Sequence, residues 1–332
     1  MDRACLSTAP IRKVSVMSQA TPSPAKRPVY KKAPASLKQF AYNQKIAPYV
    51  FVAPFVITFL LFFLYPMIST VIMSFQNILP NQVEFIGLTN YRNLNDPIFF
   101  KALRLNAMYT FWTLLILIPV PMLLAVFLDS KRMRARNFFR STLFIPALTS
   151  VVVAGTIFRL VFGELPGSLL NQIIGLVGMK PVKWLRLADT SMVTLLTLAV
   201  WRWTGVNVLY FLAGLQNIPV ELYESAEIDG ANAWHRFKSI IVPMLKPVTI
   251  YVLTISIYGG MSMFTESYML WSGNRSPNNI GITIVGYLYR KAFEENNMGY
   301  GSAIGIVLLL IVMILNVIQL YINGTLRKEK QG

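Results

Sequence analysis

The sequence has one cysteine, Cys5, and one histidine, His235, in 332 residues. A lone thiol excludes a disulfide framework within the chain and a metal site built on cysteines. A lone imidazole leaves little material for zinc or for histidine-based catalysis. Charge is scarce too, at 14% of residues, where a soluble domain carries about a quarter. No GxxxxGK[ST] phosphate loop occurs, so ATP has no binding motif here. No cluster of His, Asp or Cys stands out for enzymatic work. Residues 1–45 lack an apolar core followed by a small-residue cleavage site, so no secretory signal is read there.

What remains is apolar. Hydrophobic residues make up 55% of the chain, and the mean hydropathy is +0.51. A helix crosses the hydrocarbon core in about 20 residues. Six stretches qualify, near 48–75, 104–129, 138–163, 190–215, 246–270 and 298–323. The expected fold is an all-α membrane protein of six transmembrane helices. Its domains are a basic, disordered tail over 1–45, a transmembrane domain over 46–326 and a short C-terminal tail over 327–332. Pro54, Pro66, Pro119 and Pro121 are candidate kinks.

The net charge of +17 would suit nucleic acid, but its placement makes that partner unnecessary. Basic residues gather in the first 45 residues, in the link KRMRAR (Lys131, Arg132, Arg134, Arg136) and at Arg327, Lys328 and Lys330. With six spans, all three regions fall on one side, which the positive-inside rule makes cytoplasmic. Both termini are therefore expected in the cytoplasm, with anionic membrane lipid as a further attraction. Three longer links, 76–103, 164–189 and 271–297, face the other side. The second of them has room for a short interfacial helix.

The loop between the fourth and fifth stretches carries the most information. It reads IPVELYESAEIDGANAWHRFKSIIVPMLKP, Ile218 to Pro247. A helix follows Pro219, with Glu221, Glu224 and Glu227 on its polar side. Asp229 and Gly230 suit a sharp turn. A second helix follows over 231–241, where Trp234, Phe237, Ile240 and Ile241 offer apolar contacts. Pro243 and Pro247 mark re-entry into the membrane.

Glu224-Ser225-Ala226, then Gly230, then Ile240, Val242 and Pro243 resemble the EAA loop of permease subunits of binding-protein-dependent ABC importers. Ser225 replaces the middle Ala of that pattern, and Val242 its Leu. From about Ile46 onward the chain is similar to the carbohydrate-type permeases, relatives of the maltose and glycerol-3-phosphate importers. The resemblance implies a type I ABC importer permease fold in a bacterial inner or plasma membrane. It implies a second homologous permease, two ATPase subunits holding ATP and magnesium, and an extracytoplasmic sugar-binding protein. The chain itself would hold no cofactor and no metal. The loop 219–243 would dock in an ATPase, with Glu224 making a salt bridge there.

For the substrate path, polar groups stranded within spans are the candidates, because charge at that depth usually faces a bundle interior or a cavity. Arg202 lies near the middle of the fourth stretch, flanked by Trp201, Trp203 and Asn207. The fifth supplies Tyr258, Ser262 and Glu266. Aromatic faces and polar groups together suit a carbohydrate. The maltose importer's sugar-contacting positions align near Ala199, Arg202, Val206, Tyr258, Gly259 and Ser262, and Ala199 and Gly259 argue against maltose itself. Arg202 has two readings: an interhelical ion pair with Glu266, or contact with substrate. The second keeps open an anionic cargo, a uronate oligosaccharide or a glycerophosphate. An ion-coupled secondary transporter is the rival class, but no internal repeat supports it.

Overall fold

The computed structural model describes residues 47–79, 82–130 and 133–324. The two tails, 1–45 and 327–332, and Lys131 and Arg132 lie outside the described residues. The chain divides into two units after Leu61. In the first, α1 (Ala47–Phe59) keeps Pro54 within it, and the Thr58 hydroxyl donates to the Pro54 carbonyl at 2.8 Å. A π-helical turn, Leu60–Leu64, follows.

The second unit begins with α2 (Tyr65–Met73) and a two-stranded antiparallel hairpin, β1 (Gln76–Leu79) and β2 (Gln82–Phe85), in register Gln76 to Phe85. Then comes α3 (Pro97–Leu117), which starts seven residues before the expected span. Asp96 caps it, its Oδ1 accepting from the Ile98 amide at 2.9 Å, and Pro97 needs no donor at that position. Pro119 and Pro121 separate α3 from α4 (Pro119–Asp129) at Ile118.

Four helical stretches among the described residues are long and apolar enough to cross a membrane: Ala47–Met73, Pro97–Asp129, Ala188–Leu215 and Met298–Ile322. Two bent pairs bring the number to six if each is one span. The third expected stretch is one of them. It is not a single helix: α5 (Arg136–Leu148) meets α6 (Val151–Val161) at 94°. Pro146 removes a helical donor, and Thr149 and Ser150 take extended backbone before Ser150 starts the next helix.

The short helix expected in the second link is α7 (Leu169–Leu176). Asn171 fixes it, with Nδ2 donating to the carbonyls of Gly163, Leu165 and Val182 and Oδ1 accepting from Val182 N and Trp184 Nε1. The fourth span is α8 (Ala188–Leu215). The cytoplasmic-loop sequence forms α9 (Val220–Ile228), α10 (Ala233–Arg236), a π-turn at Phe237–Ile241 and a last turn at Val242–Met244. It bends by 64° at Leu245 into α11 (Lys246–Met261). The fifth stretch also departs from one helix, because α11 stops at Met261 and α12 (Thr265–Trp271) begins after a three-residue break. Beyond it, α13 (Ile284–Tyr289) and a π-turn at Arg290–Glu294 lead to α14 (Met298–Ile322).

Lipid is as apolar as leucine, so close backbone approach matters more here than apolar burial. α8 is the hub. Gly205 sits against the Leu143–Phe144 backbone of α5, and Gly214 faces Leu245 and Val248 beside α11. Phe211, Leu212 and Leu215 of α8 form one buried cluster with Ile241 and Leu245. Leu195, Leu198 and Ala199 form another with Tyr109 and Leu270.

Candidate functional site

Near the middle of α8 lies a cavity of about 290 Å³, walled by α3, α8, α11, the break after α11 and the start of α12. Its lining mixes aromatic rings (Tyr109, Trp203, Tyr210, Tyr258) with Thr113, Asn207, Ser256 and Glu266. The Arg202 guanidinium meets Glu266 Oε1 at 3.3 Å, with the two side chains 16% and 15% exposed. It also lies 5.3 Å from the Trp203 ring centroid, a cation–π distance. Its Nε is buried without an acceptor among the described residues. The ion-pair reading of Arg202 is the one this geometry displays.

Asn207 has a structural task. In an unbroken helix the Leu117 carbonyl would accept from residue 121, and Pro121 has no N–H. Asn207 Nδ2 supplies the missing donor at 2.9 Å. It still lines the cavity, as do Tyr258 and Glu266. Ser262 is at the end of α11, its hydroxyl donating to the Tyr258 carbonyl at 2.7 Å. Trp201 stands against Phe158 of α6 at 5.4 Å, away from the cavity lining. Among the aligned positions, Val206 and Gly259 are on the wall. Tyr109, Thr113 and Tyr210 are wall residues that sequence reasoning did not single out. Tyr109 and Thr113 come from α3, a whole span away in sequence, and only packing brings them there.

The hairpin of α9 and α10 is anchored on one side and bare on the other. Tyr223, Phe237 and Ile240 pack on the cluster around Leu215 and Leu245. Burial raises the Tyr223 pKa, and the nearby Asp129 charge adds to that. On the outer side Ile228 and Trp234 are 87% and 68% exposed. Glu224 and Ser225 are exposed and Ala226 is half-buried. The Glu224 side chain makes no hydrogen bond or ion pair among the described residues. Asp229 is the C-cap of α9, and Pro243 lies in the turn before α11.

Gly230 has φ +73 and completes a Schellman motif: its amide donates to the Glu227 carbonyl at 3.1 Å and that of Ala231 to Ala226 at 2.8 Å. No atom lies within 4 Å of the position a Cβ would occupy, so backbone conformation alone demands glycine. Gly230→Ala is expected to cost about 1 kcal/mol locally. Amide exchange over 226–236 should then speed up about fivefold, and unchanged exchange would remove the conformational role of Gly230.

The family described as binding-protein-dependent transport system inner membrane component matches residues 100–328. The arabinooligosaccharides transport system permease protein AraP of Bacillus subtilis (strain 168) is 58% identical over 288 residues, covering 87% of this chain and 92% of AraP. The lactose transport system permease protein LacF of Rhizobium radiobacter is 32% identical over 291 residues, covering 86% and 96%. A crystal structure of a bacterial ABC transporter involved in the import of the acidic polysaccharide alginate superposes with a TM-score of 0.74 at 22% identity, covering 84% of this chain and 95% of the other. With its apolar spans, its matching fold and a family match across most of its length, this chain belongs to the binding-protein-dependent transport system inner membrane components, as a multi-pass ABC importer permease.

Proposed function

We propose that this chain forms, with a second homologous permease, the pathway of an ATP-driven importer for a neutral oligosaccharide. An extracytoplasmic binding protein delivers the cargo, and two partner ATPases hydrolyse ATP with magnesium. The observation that carries the sugar class is the cavity: aromatic faces and uncharged polar groups, with the carboxylate of Glu266 on its wall already answered by Arg202. Aromatic rings present flat apolar faces to sugar C–H groups, and amides and hydroxyls bind the hydroxyls. A relative 58% identical is named for arabinooligosaccharides, which supports pentose oligomers as the cargo. The alginate importer keeps an anionic cargo in view, but a paired arginine offers a carboxylate little net charge.

The α9–α10 hairpin is the coupling element. Its bare Ile228 and Trp234 supply an apolar contact, and Glu224 is free to bridge to a basic group of an ATPase. This hairpin and both chain ends then face the cytoplasm, as the basic Arg134 and Arg136 at the start of α5 favour.

Purification from the native membrane in mild detergent tests the reading. An ATPase and a second permease should come with the chain, and reconstituted vesicles should take up arabino-oligosaccharides in an ATP- and binding-protein-dependent way. Uptake driven by an ion gradient without ATP would overturn it. In the same vesicles Glu224→Ala is expected to lower uptake by about tenfold, the equivalent of one charge-assisted contact, while ATP hydrolysis persists. Normal uptake in that variant would end the role of Glu224.

A further inference from the structure

We propose that Asn106 is a positioning residue of the transport pathway, one that fixes the break in the fifth span and so the places of Tyr258 and Glu266 on the cavity wall. The inference rests on the importer reading above. Non-helical backbone at membrane depth persists only where its polar groups find partners inside the protein. The break at 262–264 frees the last carbonyls of α11, whose donors in a continuous helix would be the amides of Phe264 and Thr265. Asn106 Nδ2 takes both, Gly260 O at 2.9 Å and Met261 O at 3.1 Å. Its Oδ1 accepts from the amide of Ile284, an orphan donor in the first turn of α13, at 2.9 Å. One fully buried carboxamide therefore ties three segments together: α3, the end of α11 and the start of α13.

The position of this clamp gives it a role beyond cohesion. Tyr258, Gly259, Gly260, Met263 and Glu266 straddle the break, and all of them line the cavity. Gly260 has Thr110 of α3 so close that a Cβ would fall on its hydroxyl, so the junction has little slack. On one side of the break, Glu266 holds Arg202 of α8. On the other, α11 runs back to the hairpin through the bend at Leu245. A displacement of the hairpin reaches the cavity wall along α11, and Asn106 is where that wall is referenced to α3.

The test uses the complete reconstituted importer with its binding protein and arabino-oligosaccharides, and reads sugar moved per ATP hydrolysed. Asn106→Leu removes all three hydrogen bonds and is expected to lower that ratio at least about fivefold, the equivalent of one net hydrogen bond, with the KM for the loaded binding protein unchanged. Asn106→Ser, which is smaller and keeps one donor, should assemble and fall between that variant and the wild type. Asn171→Leu is the control: it removes another side-chain clamp, one that does not line the cavity, and should reduce yield without moving the ratio. The proposal is overturned if both Asn106 variants keep the wild-type ratio, or if Asn171→Leu lowers it equally. A wild-type complex whose ATP hydrolysis ignores the loaded binding protein would instead sink the importer reading, and this proposal with it.

Discussion

Glu266→Gln is expected to destabilise the protein by about 3 kcal/mol, seen as a lowered unfolding midpoint in detergent. The cause is the charge left behind. Arg202 sits mid-span with its side chain 16% exposed and its Nε lacking an acceptor, so Glu266 is its compensation. With the carboxylate gone, a neutral amide oxygen and the Trp203 ring are left to the cation, the ring worth about 0.5–2 kcal/mol. An uncompensated arginine at a helix centre costs about 3 kcal/mol on insertion scales. The double variant with Arg202→Met should recover about 1–3 kcal/mol relative to the sum of the single changes. Additive effects would mean that the contact at 3.3 Å carries no coupling. The same substitution bears on selectivity. A bare guanidinium beside the cavity should make uronate oligosaccharides better competitors for uptake, and an unchanged competition profile would separate this pair from cargo choice.

Much of the architecture was legible from composition and apolar length, because those are the quantities that lipid selects. The fourth and sixth spans fall within two residues of the expected bounds. Gly230 could be read as a turn because glycine relieves a local conformational constraint, and the Schellman motif is there. The 94° bend between α5 and α6 and the break between α11 and α12 were not legible. An apolar run reports that a segment lies in lipid, but a break depends on which distant group accepts the freed backbone. The end of α11 depends on Asn106, 154 residues upstream of Gly260 in sequence. The same distance hid half of the cavity. Arg202 and Glu266 could be paired on paper because lone charges in spans seek each other. Asn207 was singled out for its amide, yet the task of that amide depends on Pro121 in a different span.

Gly205→Val is expected to be strongly damaging to the helix packing, removing about 3 kcal/mol and with it most of the folded protein. Gly205 is the point where α8 crosses α5, and an added Cβ would fall on the carbonyl group of Leu143. A flexible side chain can turn aside, but a carbonyl in a helix cannot move without moving the helix. Leu143→Ala should therefore give no rescue, because the obstacle is backbone. Gly175→Ala is the comparison: in α7 a Cβ meets open space, and the change should stay within about 0.5 kcal/mol. The readout is the yield of monodisperse protein and its unfolding midpoint; a Gly205→Val protein as stable as wild type would mean that α5 and α8 do not cross this closely. The effect would not stop at the crossing. Trp203, Val206 and Asn207 lie within two residues of Gly205 and line the cavity, so forcing α5 away from α8 shifts that wall. Any Gly205→Ala protein that still folds should accordingly lose transport before it loses stability.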